Sequence, residues 1–101
     1  MSKTERLKAF CASASNDPFA WYSLAMAQRE EGPESSVGTF RRIHDEHPEY
    51  LANYYQYGQV LADTDKTDEA KTILREGIQL AAQQGDAHTK GELETALLDL
   101  G

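Results

Sequence analysis

The stretch from Tyr54 to Leu74 constrains the fold more than any other part of this 101-residue chain. It carries Tyr54, Tyr57, Gly58 and Leu61, then the polar segment Asp63-Thr64-Asp65-Lys66, then Ala70 and Leu74. Large residues at helical spacing surround one glycine before the break, and a small alanine precedes a leucine after it. Two helices joined by so short a segment lie antiparallel. A small residue on each lets them approach closely.

An earlier stretch repeats the spacing. Trp21, Leu24, Ala25, Gln28, Ser36, Phe40 and Pro48 stand where Tyr54, Tyr57, Gly58, Leu61, Ala70, Leu74 and Ala82 stand later. The Gly32-Pro33 turn makes the first copy one residue shorter. A period near 34 marks helix–turn–helix repeats. The pattern resembles the tetratricopeptide repeat, with Gln28 departing from the large apolar residue of that family and Ala82 from its proline. The chain as a whole is similar to small, free-standing bacterial members. The resemblance implies an all-α fold, a right-handed stack of antiparallel helical hairpins built from about six helices. It divides a single domain, 1–101, into an N-terminal flanking helix (1–16), repeat 1 (17–48), repeat 2 (49–84) and a C-terminal capping helix (85–101).

Local signals agree with this division. Ser2 and Glu5 form a capping box, and Leu7, Phe10, Cys11 and Ala14 follow on one face. Asp17-Pro18 is an N-cap with proline in the first turn. Gly32 is expected to cap the second helix in a left-handed conformation. Pro33 opens the third, whose apolar face is Val37, Phe40 and Ile43, with Arg41 and Arg42 on a solvated edge. Pro48 ends it. The fourth helix is expected over Tyr50–Ala62. Thr67 is expected to cap the fifth, which runs to Gln84 with Gly85 behind it. Asp86 caps the sixth, which places Leu93, Ala96, Leu97 and Leu100 on one side.

Composition narrows the function. A net charge of −7 opposes phosphate backbones and anionic membranes, so neither nucleic acid nor a membrane is an expected partner. It keeps small domains apart, and a salt-rich cytoplasm would also suit it. The single cysteine, Cys11, reads as a small buried hydrophobe and fits a reducing compartment. The N-terminus has no apolar signal-peptide core and no run approaches a membrane span, so the expected location is cytoplasmic.

Nothing announces a chemistry. There is no glycine-rich phosphate loop, nucleophile elbow or zinc spacing. His44 and His47 lie three apart without a visible third ligand. No catalytic residue, cofactor or metal is therefore expected, and the chain is not read as an enzyme. The resemblance implies instead a protein–protein interaction module or adaptor. In such stacks the first helix of each hairpin lines a concave groove. On that geometry Phe19, Tyr22, Met26 and Arg29 line it from repeat 1, and Ala52, Tyr55, Gln59 and Ala62 from repeat 2. Aromatic-rich grooves suit extended or helical peptides. The lysines and asparagines with which some members hold a chaperone's C-terminal carboxylate are missing, since Tyr22, Met26, Tyr55 and Gln59 stand there. A monomer is expected, with a homodimer as the alternative. The competing reading is a structural helical-repeat protein that self-associates through its terminal helices.

Overall fold

A computed structural model describes residues 2–101, in which six helices and no strands occur. They are α1 (Lys3–Ser13), α2 (Pro18–Glu31), α3 (Pro33–Glu46), α4 (Ala52–Asp63), α5 (Thr67–Gln84) and α6 (Ala87–Asp99). Each packs on the next in sequence, and α4 also touches α6. The result is a two-layer stack of antiparallel hairpins, with α2, α4 and α6 in one layer and α1, α3 and α5 in the other. It measures 40 × 29 × 20 Å.

The helix starts follow from their side chains. Ser2 accepts from the Glu5 amide while Glu5 accepts from the Ser2 amide, closing the capping box. Asp17 accepts from the Phe19 amide ahead of α2, and Asp86 from the Thr89 amide ahead of α6. Gly85 ends α5 at φ 72°, a left-handed cap that glycine adopts without strain.

Four details differ from expectation. Gly32 is extended, at φ 164°, because the residue before Pro33 is pushed out of helical geometry. It serves as the end of α2 and the start of α3 together. Helix α4 begins at Ala52 rather than Tyr50, since a turn from His47 to Tyr50 comes first. Lys66, not Thr67, is the N-cap of α5, and no side chain caps it. The Lys66 amide donates to Leu61 O at 2.8 Å, which fixes the turn before Thr67 can act. Phe10 is 44% exposed rather than packed. Helix α1 rests mainly on α2, which covers its Leu7, Cys11 and Ala14 side.

The core has two parts. The larger runs from Ala25 through α3, α4 and α5 to Leu93 and Ala96. At its centre the Phe40 and Tyr57 rings stack at 6.3 Å. The smaller holds Cys11, Ala20 and Leu24 at the α1–α2 contact. Leu24 thus faces α1, not the α2–α3 hairpin as the repeat pattern suggested.

Two glycines set how closely helices approach. A Cβ on Gly58 would lie 2.6 Å from Leu74 Cδ2, so Gly58 faces Leu74 rather than Ala70. A Cβ on Gly77 would lie 2.7 Å from Tyr54 Cβ. The second contact lies one turn further along the same α4–α5 interface.

Candidate functional site

The layer formed by α2, α4 and α6 carries the candidate residues. Its two junctions differ in chemistry. At the α2–α4 junction Arg29, in the last turn of α2, donates to Gln56 Oε1 and pairs with Asp63 at 3.4 Å. That guanidinium, half-buried, ties one helix to the next and is already engaged within the chain.

The α4–α6 junction is open. Tyr55, half-buried on α4, faces His88, Glu92, Thr95 and Asp99 of α6 across a cleft of about 540 Å³. Gln59 and Ala62 continue the α4 wall into a narrower crevice of about 70 Å³ beside Leu100. The cleft therefore has an aromatic wall on one side and two carboxylates on the other. His88 lies 3.6 Å from Glu92, both largely exposed.

The remaining expected groove residues lie apart from this cleft. Phe19 sits in the first turn of α2 and is 59% exposed. Ala52 opens α4 and is exposed. Met26 is half-buried against the larger core. Tyr22 is half-buried, its ring meeting Phe40 and Tyr50 edge-on at 6.4 and 5.7 Å. Burial first, then the neighbouring Tyr50, pushes its phenol pKa up. The eight residues thus fall into four groups: Phe19 and Ala52 exposed at helix starts, Tyr22 and Met26 against the core, Arg29 at one junction, and Tyr55, Gln59 and Ala62 at the other.

Sequence reasoning did not assign the α6 wall. Its signal was nonetheless available. His88, Glu92, Thr95 and Asp99 recur at four-, three- and four-residue spacing, a polar stripe along one side of a helix. Arg42 is exposed, as expected, and is engaged as well. Its guanidinium stacks 3.9 Å above the Trp21 ring and its Nε pairs with Glu46 at 2.8 Å, so it seals α3 against α2. Trp21 Nε1 meanwhile donates to Ser15 O at 3.0 Å.

Other reactive groups have local partners. His44 packs edge-on against Tyr54 at 5.5 Å and its Nε2 lies 2.8 Å from Glu76. Burial raises the Cys11 thiol above its ordinary pKa, which disfavours the reactive thiolate. Among the described residues no three His, Cys, Asp or Glu side chains gather closely enough to hold a metal ion. No described helix is long and apolar enough to cross a membrane.

No protein-family model and no curated protein matches the sequence. Solved structures do. A tetratricopeptide repeat domain protein from Salinibacter ruber matches in its crystal form at 28% identity, with a TM-score of 0.77, over 83% of this chain and 94% of that one. Its solution structure matches at 28% identity and a TM-score of 0.79, over 83% and 86% of the two chains. A Bordetella parapertussis protein solved in solution shares the fold at 23% identity, with a TM-score of 0.82, over 99% of this chain and 88% of that one.

Proposed function

From a chain with a tetratricopeptide-repeat fold, we propose a non-catalytic protein–protein interaction module that takes a peptide or partner segment in the α4–α6 cleft. In this reading repeats 17–48 and 49–84 are the scaffold. Segment 1–16 covers one end, and segment 85–101 supplies the second wall of the site. The observation that carries it is the half-buried Tyr55 facing Glu92 and Asp99 across about 540 Å³. An aromatic face beside carboxylates suits a segment with a basic side chain next to an apolar one. Arg29 contributes by holding α2 to α4 rather than by reaching the partner. Such a module acts as an adaptor, and a reducing cytoplasm suits its free Cys11.

The test uses peptides selected against the protein from a random display library. Titrated into labelled protein, they are expected to shift the amides of Tyr55, Gln59 and Thr95. Tyr55→Ala is expected to weaken binding about tenfold while the melting temperature changes little. Shifts confined to α3 and α5, or unchanged affinity in Tyr55→Ala, would overturn the proposal. A Tyr55→Ala variant that only loses stability would make this residue scaffold alone.

A further inference from the structure

Both ends of the stack keep an apolar residue in solvent. Leu98 on α6 is 80% exposed and Phe10 on α1 is 44% exposed. Repeat stacks ordinarily finish in polar faces, because each unit buries its apolar side only against a neighbour. Here each exposed apolar residue has a charge one turn before it on the same face. On α1 it is Arg6, and on α6 it is Glu94. Among the described residues neither Arg6 nor Glu94 takes part in an ion pair.

The faces differ in shape as well as charge. Glu94, Leu97 and Leu98 of α6 border a groove of about 690 Å³ whose far wall is Arg75 and Ile78 of α5. Gly91 lies in it, and a Cβ there would meet nothing within 4 Å, so a helix could come close. Helix α1 is the ridge that matches. It carries Lys3, Arg6 and Lys8 against Glu5 alone, whereas α6 carries Glu92, Glu94 and Asp99 against Lys90 alone. Lys3 already pairs with Glu30, and Glu92 and Asp99 line the α4–α6 cleft, so Arg6 and Glu94 are the charges beside the two exposed apolar residues. In a chain of net charge −7 the first helix is thus a basic end and the last an acidic one.

We propose that copies of this chain associate head to tail, with α1 of one copy seated in the α5–α6 groove of the next. Charge selects this pairing over the symmetric ones. Joining α6 to α6 would oppose carboxylates, and α1 to α1 would oppose cations. A head-to-tail contact uses two different surfaces, so the far ends stay free and assembly grows rather than stopping at a dimer. One helix seated between two makes a small interface, so the contact belongs to the weak, concentration-dependent class. The groove shares Gly91 and Thr95 with the α4–α6 cleft, but Leu98 borders only the groove and Tyr55 only the cleft, so the two proposals can fail separately.

Sedimentation velocity on the full chain, from micromolar to millimolar concentration, tests it. The weight-average mass is expected to rise steadily above that of one chain. Leu98→Glu is expected to weaken association by at least about tenfold, with its helical content intact because the side chain is exposed. Arg6→Glu and Glu94→Lys are each expected to weaken it, and an equimolar mixture of the two to restore it. Tyr55→Ala is expected to leave it unchanged. A single-chain mass at every concentration would overturn the proposal. Association as strong in Arg6→Glu as in the unaltered chain would also overturn it, because the contact would then not involve α1.

Discussion

Glycines in helices illustrate how a single residue's worth depends on what it touches. Gly38 and Gly77 both lie inside helices, where glycine costs about 1 kcal/mol relative to alanine. Gly38 faces open space, so Gly38→Ala is expected to raise stability by up to about 1 kcal/mol in urea titration. At Gly77 a new Cβ would lie 2.7 Å from Tyr54 Cβ and 3.1 Å from Leu93 Cδ1. Tyr54 Cβ is fixed to its own backbone and cannot swing aside. Gly77→Ala is therefore expected to lower stability by about 1–3 kcal/mol despite its better helix propensity. Equal gains at both sites would mean that α4 and α5 are not in this close contact. Gly58 was legible as a close-approach residue from its place in the repeat. Gly77 was not, because position 77 is not among the spaced residues of the repeat, although its partner Tyr54 is.

At the scale of elements, junctions between helices decide more than the helices themselves. Asn53, 1% exposed at the α3–α4 junction, donates from Nδ2 to Phe40 O at 3.1 Å. A carboxylate there would set an acceptor against an acceptor and bury a charge. Asn53→Asp is expected to cost roughly 3 kcal/mol or more at neutral pH. The buried carboxyl's folded pKa would be raised, so the deficit should shrink as pH falls through that raised value towards about 4 and level off below it, where both states are protonated. Urea midpoints at several pH values check it; a deficit independent of pH would place the new side chain in solvent. Nothing in the local sequence marks Asn53 as buried, since its partner is a backbone carbonyl thirteen residues earlier. Capping was far more legible. Ser2, Asp17, Gly85 and Asp86 act within a few residues of themselves, so adjacent sequence contains the whole interaction. Thr67 failed as a cap because a backbone bond from Lys66 to Leu61 had already set the turn.

Over the whole molecule, four tyrosines share one electrostatic fate. Burial raises the phenol pKa values of Tyr22, Tyr50, Tyr54 and Tyr57 above the ordinary 10.0. For Tyr57 the nearby Arg41 offsets part of that rise. Above pH 10 the unfolded chain has lost protons that the folded chain keeps, so unfolding is favoured as pH rises. Stability from these groups is whole below pH 10 and is lost as pH climbs through the raised values. The urea midpoint is expected to hold through pH 9 and to fall beyond pH 10, in step with tyrosinate absorbance. A midpoint that stays flat through tyrosine ionisation would contradict their burial. The acidic surface works in the same direction, since added negative charge on a chain of net −7 increases self-repulsion.

The sequence by itself determined the six helices, most of their ends and the hairpin core of Phe40, Tyr54, Tyr57, Leu61 and Leu74. Those features rest on helical periodicity, local caps and a repeated spacing, all of which lie along the chain. Only the tertiary structure decided which helix face meets which neighbour. It moved Leu24 to α1, left Phe10 in solvent, engaged Arg29 with α4 and opened the cleft between Tyr55 and α6. Each of those outcomes depends on groups brought together from separate helices. Helical periodicity says which residues share a side, and only the packing of one helix on another says what that side faces.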